Sequence, residues 1–92
     1  MLLLEQNGVQ AVRRLREGGY GNLVVGVTGN VLEHDVTEYL ASGVDMIMSK
    51  PVKMSLLGML LRHVKEHGFL SQPDMKLSED TRTGQLVWKK RN

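Results

Sequence analysis

Two short apolar runs constrain this chain most: the continuously apolar "LVVGV" at residues 23–27 and "VDMIM" at residues 44–48, each followed by a segment with helical spacing. A strand that is apolar at successive positions has both faces covered, which points to a parallel sheet packed between helices rather than a sheet with one wet face. The flanking segments agree. In "VQAVRRLRE", Val9, Val12 and Leu15 recur at steps of three and form one apolar stripe, leaving Arg13, Arg14 and Arg16 mostly for the solvent side. "GGYGN" then supplies a turn into the first run. "NVLEHDVTEYLASG" carries Asn30 three residues before Glu33 in a capping-box arrangement, Leu32, Val36, Tyr39 and Leu40 at helical steps, and Gly43 as its stop. After the second run, Leu56, Leu57, Leu60, Leu61 and Val64 mark a third helix closed by Gly68. The expected order is helix, strand, helix, strand, helix, which defines an α/β chain.

Crossover helices between parallel strands bring the carboxyl ends of those strands to one edge of the sheet, where such folds build their sites. Thr28 follows the first run and Lys50 the second. With neighbouring strands about 4.8 Å apart, a hydroxyl and an ammonium would face one pocket, a pairing suited to an anionic oxygen such as that of a phosphoryl group. Pro51 fixes the backbone after Lys50, and an X-Pro bond adopts the cis form at small cost. Each feature alone has a plainer reading: a threonine after a strand commonly caps a turn, and Lys-Pro commonly stops a strand in a solvated loop. The order of elements around them is what gives the pair weight.

Taken together, "NGVQAVRRLRE", "VVGVTGN", "SGVDMIMSKPV" and the leucine-rich last helix resemble the receiver domains of response regulators and hybrid histidine kinases. The likeness covers residues 7–67, and "GGYGNLVVGVTGNVLEHDV" is most similar to receivers attached to eukaryotic hybrid kinases. The resemblance implies a partial flavodoxin-like (CheY-like) doubly wound parallel sheet, lacking its N-terminal strands, in a two-component phosphorelay of the cytoplasm. It makes Thr28 the hydroxyl that contacts the phosphoryl group, Lys50 its paired cation and Pro51 a cis-proline. It also implies a histidine kinase or phosphotransfer protein as partner.

The sequence departs from that pattern in what it omits. The family's phosphoaccepting aspartate stands eight residues before the glycine opening the third helix, and counting back from Gly8 leads to the position before Met1. The acidic pair that binds magnesium is likewise missing, so Mg is expected only in a complete receiver and no cofactor is assigned to this chain. Glu5 falls in the loop after the missing aspartate, and Glu33 and Asp35 are expected to cap and solvate the next helix. Ile47 stands where receivers usually carry an aromatic switch residue. The expectation is therefore a truncated receiver, residues 1–68, without catalytic residues or enzymatic activity. The alternative is a noncatalytic interaction module derived from a receiver, and a small independent α/β enzyme ranks third.

Composition removes other classes. There is no cysteine, hence no disulfide or thiolate site, and the 41% hydrophobic content is too high for a disordered chain. "MLLLEQNG" lacks the basic region and the length of a signal peptide or a membrane span. The net charge of +2 owes much to the terminal "KKRN", a weak footprint for nucleic acid. "HVKEH" (His63 to His67) matches an inverted zinc-peptidase pattern but lacks a third ligand, so it is read as a solvated helix end and no metal ligand is assigned. Met46, Met48, Met54 and Met59 are expected as core filler. Residues 69–92, polar apart from "LVW", are expected to be a disordered tail with at most a brief strand. Without earlier strands, the "LVVGV" strand should present an unpaired edge and the chain should tend to aggregate.

Overall fold

The computed structural model describes residues 1–4, 8–29 and 33–91, with the side chains of residues 33–35 outside that set. Five strands and three helices run in the order β1 (Leu2–Leu4), α1 (Val9–Glu17), β2 (Val24–Thr28), α2 (Glu33–Ala41), β3 (Met46–Ser49), α3 (Met54–His67), β4 (Met75–Asp80) and β5 (Gln85–Lys90). The expectations placed on Glu5, Asn7, Asn30, Leu32 and the side chains of Glu33 and Asp35 lie outside the described residues.

β1, β2 and β3 form a parallel sheet in that order. Alternation along the strands sorts the apolar residues onto two faces. Val24 and Ile47 join Val12, Tyr39 and Val44 under α1 and α2, while Val25, Met46 and Met48 join Leu60 of α3. This is a mixed α/β arrangement with helices on both faces, compatible with a partial CheY-like fold. Gly26 is a packing requirement of that first layer: a Cβ there would meet the Tyr39 ring at 2.8 Å. Burial also raises the Tyr39 phenol above its usual pKa.

Two regions differ from the sequence reading. The edge of β2 is paired, because Leu2, Leu3 and Leu4 align in parallel with Val24, Val25 and Gly26. Three leucines carry no period, yet an extended segment beside an open strand satisfies backbone groups that would otherwise lie bare. The tail differs more. Instead of disorder, β4 and β5 form an antiparallel hairpin from Met75↔Lys90 to Asp80↔Gln85, with Gly84 at φ 69° closing the turn. Its inward residues Leu77, Leu86 and Trp88 pack against Leu60, Met46 and Met48, so the hairpin is a layer of the core. Among the methionines, Met46 and Met48 are buried as expected of filler, whereas Met54 is 78% exposed.

The link from α3 to the hairpin is also tied down. Gly68 turns the chain with φ 85°, and the Leu23 N–H then donates to the Phe69 carbonyl at 2.7 Å while the Ser71 N–H donates to the Gly21 carbonyl at 2.9 Å. This antiparallel stitch brings Ser71 to the amino edge of the sheet.

Candidate functional site

The carboxyl edge holds the residues singled out for phosphoryl contact. Thr28 ends β2 and is 6% exposed; its register partner is Ser49, the last residue of β3. Lys50 comes next, and its backbone N–H donates to the Thr28 carbonyl at 2.9 Å, extending the ladder by one bond. Lys50 and Pro51 are exposed, and the peptide bond between them is cis. The strand ends thus set a buried threonine beside an exposed lysine.

Magnesium would need one or two carboxylates among its oxygen ligands. Among the described residues, no acidic residue stands in the segments that follow β1, β2 and β3; Glu5 lies outside them. The described donor set of this edge therefore does not fit the ion. Nor do the described residues contain a group of three or more histidine or acidic side chains close enough to hold a metal.

The opposite, amino edge carries a cluster that the sequence reading missed. Asp45 is completely buried. Its Oδ2 accepts hydrogen bonds from Arg16 Nη2 at 2.8 Å and from the Val24 N–H at 2.9 Å, and its Oδ1 accepts one from the Ser71 hydroxyl. Its backbone is equally engaged: the Asp45 N–H donates to the Val24 carbonyl at 2.8 Å, and the Asp45 carbonyl accepts from the Leu77 N–H of β4 at 2.6 Å. One residue therefore joins α1, β2, the start of β3, the linker and the hairpin.

Arg16 belongs to this cluster rather than to the solvent face. Its Nη1 donates to the Tyr20 and Asn22 carbonyls, each at 2.7 Å, and its Nη2 donates to the Gly43 carbonyl at 2.9 Å. Gly43, at φ 114°, admits this approach, since a Cβ would meet Arg16 Cγ at 2.9 Å. Arg91 closes the cluster from the far end of the chain. Its Nη1 donates to the Leu40 and Val44 carbonyls at 2.6 Å, and Nη2 lies 3.9 Å from Asp45 Oδ1. Burial lowers the Arg91 pKa below its usual value, opposed by the nearby Asp45 charge. The signal for the cluster was present in "VDMIM": a carboxylate inside an apolar run has to be paired, because burying a lone charge costs far more than a strand gains.

An open cleft of about 340 Å³ lies beside this cluster, lined by Arg16, Tyr20, Leu40, Ser71, Asp74 and Arg91. Two guanidinium groups there are matched by Asp45 and Asp74, so the cleft has no surplus charge with which to attract an ion of either sign. Its chemistry is that of a structural junction.

The third feature is at the end of α3. His63, expected to be solvated, is 6% exposed and lies edge-on to Trp88 of β5 with ring centroids 5.8 Å apart. Burial, then the neighbouring His67, lowers its pKa, with Glu66 opposing. No described helix is long and apolar enough to cross a membrane.

Comparison with known proteins gives one informative match. The chain is 37% identical over 51 residues to two-component response regulator 24 of Arabidopsis thaliana, an overlap covering 55% of this chain and 37% of the relative. The matched region thus spans little more than a third of that relative's length. No family model matches the chain. No solved structure matches it either.

Proposed function

We propose that this chain is a receiver-type module of a two-component phosphorelay that takes part in signalling without accepting a phosphoryl group itself. The reading rests chiefly on one observation: Thr28 and Lys50 lie side by side at the ends of adjacent parallel strands, joined by the Lys50 N–H to Thr28 carbonyl bond. The similarity to a response regulator supports it. In this reading, residues 7–67 correspond to the third helix through the last helix of a receiver of the kind attached to eukaryotic hybrid histidine kinases. Lys50 offers a cation and Thr28 a hydroxyl to a phosphoryl group presented by another protein. The partner is a histidine kinase or phosphotransfer protein of the cytoplasm. In this reading residues 1–92 supply phosphoryl contacts and no catalytic step, and magnesium is held only where other carboxylates supply the ligands.

A noncatalytic interaction module is the second reading, favoured by the hairpin. A chain whose own last strands close its core can dock a partner as a unit. One experiment separates the two. Incubation with acetyl phosphate and magnesium should leave the intact mass unchanged, and titration with a phosphorylated phosphotransfer domain should shift the amides of Thr28 and Lys50 first. Shifts confined to the hairpin would favour docking without phosphoryl contact. A stoichiometric, base-labile mass increase would show a nucleophile within the chain and defeat the proposal.

A further inference from the structure

His63 and His67 stand one helical turn apart at the end of α3, their ring centroids 5.0 Å apart and tilted by 43°. Positions i and i+4 share a helix face, so the two imidazoles lie next to each other on one side of α3. His63 is buried, and its Nδ1 makes no hydrogen bond among the described residues. Such an atom requires an explanation, because a buried nitrogen loses its water and ordinarily recovers a partner within the fold. His63 also lines a void of about 10 Å³, bordered by Met59, Arg62, Glu66, His67, Gln85 and Leu86. That is room for a single small occupant. Glu66 adds an oxygen nearby, with Oε2 3.9 Å from His67 Nε2.

We propose that His63 and His67 form a two-histidine site for a borderline divalent transition ion, of the Cu(II) or Zn(II) class, on the seam between α3 and the hairpin. Neutral imidazole is a good ligand for such ions, whereas magnesium and calcium prefer oxygen and are not expected to bind. Two protein ligands, completed by water, are fewer than the three a catalytic zinc requires, so the site is structural or regulatory rather than hydrolytic. Its effect on the fold follows from position. A bound ion would pin the last turn of α3, and since Trp88 packs on His63, it would also hold β5 against that helix. Binding to the folded state alone raises stability in proportion to ligand excess.

The test uses the full 92-residue chain, whose single tryptophan is Trp88. Cu(II) should quench Trp88 emission with saturation at one equivalent, and EDTA should reverse it. Zn(II), which has no redox chemistry, should raise the thermal midpoint as its concentration increases, and Mg(II) should do neither. His67 is largely exposed, with 64% of its side chain accessible, so His67→Gln should fold normally. It should weaken the apparent Cu(II) affinity by about tenfold or more. Equal affinity in wild type and His67→Gln, or quenching that requires several equivalents, would overturn the proposal.

Discussion

The two edges of the same three-stranded sheet are built in opposite ways. At the amino edge, side chains from α1, the linker and the end of β5 converge on Asp45, and the backbone of β4 is bonded to it as well. At the carboxyl edge, Thr28 and Lys50 come from neighbouring strands, and Lys50 and Pro51 face solvent. One edge concentrates long-range contacts around a buried charge; the other leaves a cation accessible. Under the proposed function, stability and recognition are assigned to opposite ends of the same strands, so damage at one end need not resemble damage at the other.

The largest effect should come from Asp45→Ala. It takes the acceptor from the buried Val24 N–H and the ion-pair partner from Arg16, whose guanidinium keeps the Tyr20, Asn22 and Gly43 carbonyls. Removing one partner of a buried ion pair costs about 3–5 kcal/mol, a large share of the stability of a small domain. Denaturant titration should show a much lower midpoint with an unchanged slope. A loss below about 0.5 kcal/mol, the range of ordinary surface substitutions, would mean that the junction at the amino edge carries little of the fold.

Leu77→Ala comes next and asks whether the hairpin shares in that junction. Leu77 is 4% exposed and packs in the same cluster as Leu60 and Met48. Truncating a buried leucine costs about 2–5 kcal/mol, and the same titration should report it as a single cooperative transition. Two separate transitions would show the hairpin folding apart from the sheet.

The smallest stability effect should belong to Lys50→Ala. An exposed side chain at the carboxyl edge is expected to change stability by no more than about 0.5 kcal/mol. The same variant should nevertheless weaken the response of this edge to a phosphorylated phosphotransfer domain, read as reduced amide shifts at Thr28. Equal responses in wild type and variant would remove Lys50 from the proposed recognition surface while leaving the account of the amino edge intact.

The parts of this fold that could be read from the sequence are those with a strong period. The stripe of Val9 and Val12, the leucines of α3 and the two apolar runs report directly on which faces are buried. The nearness of Thr28 and Lys50 follows from two adjacent parallel strands, although their chemical role does not. The hairpin was obscured because it buries one face only: Leu77, Leu86 and Trp88 turn inward from otherwise polar strands, and alternation in so few residues is easily lost. β1 was obscured because three consecutive leucines fit no period. The Asp45 cluster was obscured because its partners Arg16, Ser71 and Arg91 are scattered along the chain, and only folding brings them to one carboxylate.

The central claim is that residues 69–91 belong to the same cooperative structure as the parallel sheet, joined to it at Asp45. Native-state hydrogen exchange of the full chain tests this most directly, because amides that open only in global unfolding share one exchange free energy. The Leu77 amide, bonded to the Asp45 carbonyl, and the Val24 amide, bonded to the Asp45 side chain, should exchange with the same free energy, equal to that from denaturant titration. Rapid exchange at Leu77 alongside strong protection at Val24 would contradict the account and make the hairpin an appendage of the sheet.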